Sequence, residues 1–149
     1  MKRILFVDDD DDLAAVATAG LLARGFDVVR MSNGVEALAE YERQRPDVVV
    51  TDLMMPEKEG WTLIGDLRRR DRTVKIIATT GGGLDTPRTY LKVARQAGAD
   101  AMIEKPYTID QLVDAISRSE QPPDPEPPII PGQRPRPPRK GTTESDGTA

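Results

Sequence analysis

The chain has neither cysteine nor histidine among its 149 residues. Without thiols there are no disulfides and no thiolate chemistry, and without either residue the usual zinc sites and an imidazole general base are excluded. Any chemistry runs on carboxylates, lysine, hydroxyls or hard cations held through oxygen. A strong charge of either sign is also missing: 21 basic residues stand against 25 acidic ones, a formal net charge of −4. The basic excess that marks nucleic acid as a main partner is therefore lacking. Nor is there a long apolar run near the start. The opening MKRILFVDDD sets a run of only four apolar residues, Ile4 to Val7, before its acids, too few for a signal peptide or a membrane-spanning segment, so the expected compartment is the cytoplasm.

Composition changes sharply near Glu120. From Gln121 to Ala149 the chain carries nine of its thirteen prolines and almost no apolar residues except Ile129 and Ile130. Residues 121–149 are therefore expected to be a disordered proline-rich tail, following one domain over residues 1–120. Within the tail, RPRPPRK from Arg134 to Lys140 resembles a polyproline ligand with flanking arginines, which a polyproline-recognising partner would bind; a solvated linker is the alternative.

Before the tail, short β-branched runs alternate with longer helical patterns. RILFVD, DVVRMS, DVVVTD, VKIIATT and DAMIEK read as strands. DDLAAVATAGLLARG, NGVEALAEYERQ, GWTLIGDLRRRD, PRTYLKVARQAG and TIDQLVDAISRS read as helices. Strict alternation with continuously apolar strands predicts an α/β fold, a parallel sheet with helices on both faces. Gly25 and Gly98 sit where helices must stop and the chain turn back, while Asn33 and Thr108 are predicted N-caps.

The five consecutive acids Asp8 to Asp12 need a physical reason, because adjacent carboxylates repel one another. Asp10 is a predicted N-cap, and Asp11 and Asp12 lie in the first helical turn, where the helix dipole favours negative charge. Capping leaves Asp8 and Asp9 unexplained. In a parallel sheet all strands run the same way, so residues at their carboxyl ends meet along one edge. Strand one ends in Asp8 and Asp9, strand three in Asp52, strand four in Thr80 before Gly81-Gly82-Gly83, and strand five in Lys105-Pro106. Each alone is an ordinary loop or turn residue. Together they gather three carboxylates, a hydroxyl and a lysine.

VDDD at Val7 to Asp10, DLMMPEKEG at Asp52 to Gly60, Thr80 after KIIAT, and EKP at Glu104 to Pro106 resemble, in order and spacing, the receiver domain of two-component response regulators. The likeness covers about residues 2–120. It implies a flavodoxin-like, doubly wound five-stranded parallel sheet in the order 2-1-3-4-5. It implies that Asp52 is the phosphoacceptor, Thr80 the switch hydroxyl and Lys105 the phosphoryl-contacting lysine, with Lys105-Pro106 similar to the family's cis peptide. It further implies a Mg²⁺ site formed by Asp8, Asp9, Asp52 and the Met54 backbone carbonyl. Octahedral oxygen coordination by one or two carboxylates, waters and a phosphoryl oxygen suits that ion. Asp8 is expected to act largely through a bound water.

The implied partners are a sensor histidine kinase or phosphotransfer protein upstream and another protein downstream. With residues 1–120 in one domain, no direct nucleic-acid output domain and no membrane segment are expected. The chain is then a self-phosphorylating substrate more than an enzyme with turnover. Two features depart from the family pattern. Met102 stands about three positions before the lysine, where family members often carry an aromatic residue. The GGGLDTPRT stretch after Thr80 lengthens the connection, either as a surface insertion or as a mobile loop beside the phosphate. A different class, a Mg²⁺-dependent phosphatase or hydrolase with Asp52 as nucleophile, needs a second acid for proton transfer and a cap over the substrate. A nucleotide-binding fold needs glycines after strand one, where aspartates stand.

Overall fold

A computed structural model describes residues 1–54, 60–81 and 87–118, with the backbone alone over 87–91. The proline-rich stretch 121–149 and residues 82–86 of the lengthened connection lie outside the described residues. In chain order the elements are β1 (Arg3–Val7), α1 (Asp11–Ala23), β2 (Asp27–Met31), α2 (Gly34–Arg43), β3 (Val48–Asp52), α3 (Gly60–Arg70), β4 (Lys75–Gly81), α4 (Pro87–Ala97), β5 (Ala101–Lys105) and α5 (Ile109–Arg118). The strands form one parallel sheet in the order β2-β1-β3-β4-β5. This is the flavodoxin-like architecture expected, and the element bounds agree to within about two residues. The clearest difference is at β4, which runs one residue past Thr80, because Thr80 and Gly81 still pair with Glu104 and Lys105.

Alternate residues of the strands feed two separate cores, which is why the strands are apolar without a break. Leu5, Val7, Val49, Ile76 and Ala78 pack with Ala37, Tyr41, Leu63, Ile64, Leu67 and Ala94 beneath α2, α3 and α4. Ile4, Phe6, Val48, Val50 and Ile77 pack with Ala14, Ala17, Leu21, Leu112 and Ile116 beneath α1 and α5. Each of the Val, Leu, Ile and Phe side chains among these contributes about 1.5–3 kcal/mol on burial, so the two cores carry most of the driving force for folding. The edge strand β2, paired with β1 alone, is half-buried along its whole length.

The predicted punctuation is in place. Asp10 accepts from the Leu13 N–H at 3.1 Å and Asn33 from the Glu36 N–H at 2.9 Å. Thr108 and Gln111 cap α5 reciprocally, each accepting from the other's backbone N–H, the arrangement of a capping box. Gly25 and Gly98 adopt φ of 87° and 113°, a left-handed region that a side chain makes costly.

One buried polar link ties α2 to the turn before β4. Tyr41 is fully buried, and its hydroxyl donates to Asp71 Oδ2 at 2.8 Å. Burial pushes this hydroxyl up to about 12, so it remains a donor. Asp71 also accepts from the Thr73 hydroxyl and N–H, each at 2.7 Å. The Thr73 bonds, with Tyr41 adding, hold its carboxyl down at about 2. A depressed carboxyl stabilises the fold above its unfolded pKa of about 4 and loses that contribution as the pH falls toward 2. Tyr41→Phe is expected to cost about 0.5–1.5 kcal/mol. In urea unfolding the difference from wild type should be full above about pH 4 and should shrink below it.

Candidate functional site

The backbone delivers Asp8 and Asp52 to the same edge from neighbouring strands. Asp8 follows β1 directly, and its N–H donates to the Met31 carbonyl at the end of β2, 3.1 Å away. Its carbonyl accepts from Arg30 Nη2 at 3.1 Å, and its Oδ1 accepts from the Asp10 N–H at 2.9 Å. Asp52 ends β3; its Oδ1 accepts from the Met54 N–H at 3.1 Å. Both carboxylates are almost wholly withdrawn from water, Asp8 to 1% exposure and Asp52 to 6%.

Lys105, brought in by β5, joins them. Its Nζ donates to Asp52 Oδ2 at 2.9 Å and lies 2.8 Å from Asp8 Oδ2. The second contact is an ion pair and not a directed hydrogen bond, since that oxygen has no hydrogen-bond partner among the described residues. The Lys105–Pro106 peptide is cis. Asp9 is exposed and forms no ion pair among the described residues, yet carboxylate oxygens of Asp8, Asp9 and Asp52 all lie within 4.8 Å of one another.

Charge decides what this cluster needs. Two like charges 4.8 Å apart repel by about 3 kcal/mol at an effective dielectric constant of about 20, while the lysine contacts each attract by about 6 kcal/mol. Three carboxylates and one ammonium leave a formal charge of −2. A divalent cation cancels it, and an all-carboxylate donor set suits a hard ion such as Mg²⁺.

The ionisation of the pair follows from its surroundings. Burial raises the Asp52 carboxyl above its ordinary value, outweighing the Lys105 and Met54 bonds, and the charge of Asp8 adds to the rise. Burial alone would lower Lys105, but its close contacts with the Asp8 and Asp52 carboxylates outweigh it and the net effect is upward. Lys105 therefore stays an ammonium at neutral pH.

Thr80 does not join the bonded group. It is buried to 2% within β4, and its hydroxyl has no hydrogen-bond partner among the described residues. It shares a sheet face with Ala78, whose partner in register is Met102. Met102 is half-buried and packs against the core under α3 and α4. Met54 presents its N–H to Asp52, and its side chain is exposed. Tyr107, two residues past Lys105, buries a hydroxyl that also has no partner among the described residues. Burial, with the charge of Asp8, pushes it up to about 12.

Two residues at this edge escape a reading of the sequence. Arg30 lies at the end of β2, the strand end that the sequence analysis does not examine, and its position on the common edge is the signal that would have found it. Gly60 opens α3 against the end of β3: its N–H donates to the Leu53 carbonyl at 2.9 Å, and a Cβ there would fall 1.8 Å from the Asp52 carbonyl oxygen. Only a residue without a side chain permits that approach.

A five-stranded parallel sheet in this order, with acids and a lysine converging at the carboxyl ends of β1, β3 and β5, defines a receiver-type flavodoxin-like domain. The chain belongs to the response regulator receiver domain family, whose sequence profile matches residues 4–117. It is similar to the chemotaxis protein CheY of Bacillus subtilis (strain 168), 33% identical over 118 residues that span 78% of this chain and 96% of that protein. It is also similar to the DNA-binding response regulator MtrA of Mycolicibacterium paratuberculosis, 37% identical over 112 residues. That match spans 75% of this chain and 48% of MtrA, so the chain corresponds to about half of that regulator. Among solved structures, a putative response regulator from Chloroflexus aurantiacus superposes with a TM-score of 0.73 at 28% identity, covering 79% of this chain and 96% of its own. Among the described residues no helix is long and apolar enough to cross a membrane.

Substitutions at the two glycines of α3 separate close approach from helix propensity. Gly60→Ala forces its methyl into the Asp52 backbone, and an overpacking cost of about 1–3 kcal/mol is expected in thermal unfolding. Gly65 has nothing within 4 Å of its Cβ position, so Gly65→Ala is expected to stabilise by about 0.5–1 kcal/mol.

The raised carboxyl of Asp52 carries its own consequence. A group bound more tightly to its proton in the folded state favours folding at low pH and opposes it once ionised. Metal-free Asp52→Asn is therefore expected to be more stable than wild type at neutral pH, and the gain should fade as the pH drops to about 4. Urea midpoints in chelator across that range check the sign.

Proposed function

We propose that the chain is a phospho-accepting receiver of a two-component phosphorelay, with Asp52 as the acceptor. The observation that carries this reading is the single ammonium of Lys105 held between Asp8 and Asp52, within a cluster left two charges short of neutral.

Phosphoryl transfer requires an in-line nucleophile and neutralisation of the equatorial oxygens. Both oxygens of Asp52 are held, one by Met54 and one by Lys105, so the carboxylate is fixed in one orientation. An Asp52 oxygen attacks the phosphorus of a phosphohistidine on a sensor histidine kinase or phosphotransfer protein. The P–O bond forms as the P–N bond breaks, and the imidazole departs. Lys105 moves its charge from the carboxylate to a phosphoryl oxygen. Thr80, whose buried hydroxyl has no hydrogen-bond partner among the described residues, donates to another.

Asp8, Asp9, Asp52 and the Met54 carbonyl would hold Mg²⁺, which supplies charge neutralisation at the phosphoryl oxygens when bound. The acyl phosphate returns to the carboxylate by attack of water, so the chain acts as a signalling acceptor with self-catalysed chemistry and not as a turnover enzyme. In this reading the activity belongs to residues 1–120, in the cytoplasm, and the proline-rich residues 121–149 are available to a polyproline-recognising partner.

The output follows from packing. Thr80 drawn toward the phosphoryl group vacates space on the sheet face it shares with Met102, and the flexible thioether enters it. This biases a two-state equilibrium at β5 and its flanking helices, where another protein binds. Methionine fits several positions at similar energy, so a measurable active population is expected before phosphorylation.

Incubation with acetyl phosphate and Mg²⁺ followed by intact mass tests the reading. Wild type is expected to gain one phosphoryl group and Asp52→Asn none. Catalytic release of phosphate from many substrates would instead favour the hydrolase class. An Asn variant that is modified at the wild-type rate would remove Asp52 from its role.

A further inference from the structure

Arg30 is a cation at the candidate site for which phosphoryl transfer assigns no role. It belongs to the edge strand β2, where it pairs in register with Phe6, and its side chain is 29% exposed. One nitrogen, Nη2, makes both of its contacts: it donates to the Asp8 carbonyl at 3.1 Å and to Asp11 Oδ1 at 2.5 Å. The adjacent residue, Met31, accepts the Asp8 N–H at 3.1 Å. The end of β2 therefore grips Asp8 by both backbone groups, and through Asp11 it also grips the first turn of α1. The turn that carries Asp8 and Asp9 is closed from three sides, by Arg30, by Met31 and by the Asp10 N–H bond to Asp8 Oδ1.

The position of Asp9 depends on this grip. Asp8 is buried and held by Lys105 as well. Asp9 is exposed and has no ion pair of its own among the described residues; what fixes it are its neighbours Asp8 and Asp10. An unconstrained turn of adjacent carboxylates would relieve repulsion by splaying Asp9 into water. A cation clamped on the carbonyl side of the turn opposes that while leaving the carboxylate oxygens free.

We infer that Arg30 is a positioning residue for the acidic pair: it locks the β1–α1 turn so that Asp8 and Asp9 remain directed at a common cation with Asp52. The inference rests on the reading of Asp8, Asp9 and Asp52 as a Mg²⁺ site. It separates sharply from a purely electrostatic effect of Arg30, because the two have opposite signs. A nearby positive charge by itself weakens cation binding, and removing it tightens binding, most of all at low salt. Loss of a clamp weakens binding at any salt.

Mg²⁺ titrations by calorimetry on wild type, Arg30→Ala, Arg30→Lys and Asp9→Ala, each at low and high salt, decide between them. Thermal unfolding of the same metal-free proteins shows whether each variant is folded. Groups that orient metal ligands from outside typically change affinity by about 10–100-fold, and a clamp on a backbone carbonyl is expected at about tenfold, the lower end. Both Arg30 variants should show that loss at either salt, because lysine keeps the charge but its side chain is one bond shorter and its ammonium falls short of the position that Nη2 takes between carbonyl and carboxylate. The phosphorylation rate by acetyl phosphate at saturating Mg²⁺ should stay near that of wild type, so the defect lies in cation affinity and not in transfer. Tighter binding by Arg30→Ala at low salt with wild-type behaviour of Arg30→Lys would overturn the clamp in favour of a charge effect. Lowered unfolding temperature with unchanged Mg²⁺ affinity would reduce Arg30 to a structural role and overturn it too. Asp9→Ala identifies which claim has failed: if its affinity equals that of wild type, the metal-site reading falls and the clamp with it. If Asp9→Ala loses binding while the Arg30 variants do not, the clamp alone falls.

Discussion

Asp8 and Asp52 are two carboxylates buried side by side, and the ammonium of Lys105 shared between them is the contact that makes the arrangement tolerable. Desolvating one unpaired charge costs several kcal/mol, and the shared ammonium offsets that cost for both acids. Lys105 reaches them because β5 runs parallel to β1 and β3 and ends at the same level. The pairing of Gly81 with Lys105 fixes where the strand stops. A single lysine still cannot satisfy three acids. The remaining deficit suits a divalent cation, and only with such a cation in place could the edge take up the added negative charge of a phosphoryl group.

The rest of the fold serves that geometry. Two cores, one on each face of the sheet, hold the five strands in register. Parallel pairing then carries the register to the edge, so packing many residues away determines whether the carboxylates stay within a few ångströms of each other. Gly60 shows how tight the fit is, since α3 begins in van der Waals contact with the carbonyl of Asp52. The acidic run from Asp8 to Asp12 is likewise divided among different supports: Asp10 caps α1, Asp11 binds Arg30, Asp8 binds Lys105, and Asp9 faces water.

In the proposed function, Thr80 and Met102 make the link from site to surface. The Thr80 hydroxyl has no hydrogen-bond partner among the described residues; leaving a buried hydroxyl so costs of the order of 1–3 kcal/mol, and a phosphoryl oxygen within reach would relieve it. That gain is comparable to a few kcal/mol between two packings of a soft side chain, which is the scale on which a switch operates. Conformational output then needs no rebuilding of the sheet, only a repacking on the face that α4 and β5 share.

Much of this was legible in the sequence because it is local or periodic. Strand and helix alternation, the caps at Asp10, Asn33 and Thr108, the left-handed glycines Gly25 and Gly98, and the strand-end acids each depend on residues within a few positions of one another. So the α/β class, the element bounds and the convergence of Asp8, Asp9, Asp52 and Lys105 followed from chain order and the one-way direction of a parallel sheet. What only the tertiary structure decided depends on distances between elements far apart in the chain. It placed Arg30 on the Asp8 carbonyl, Gly60 on Asp52 and Tyr41 on Asp71, and it kept Thr80 inside β4, paired with Glu104. The physical reason is that periodicity tells which face a residue takes, whereas register and helix docking, set by the summed packing of two cores, determine which atoms meet.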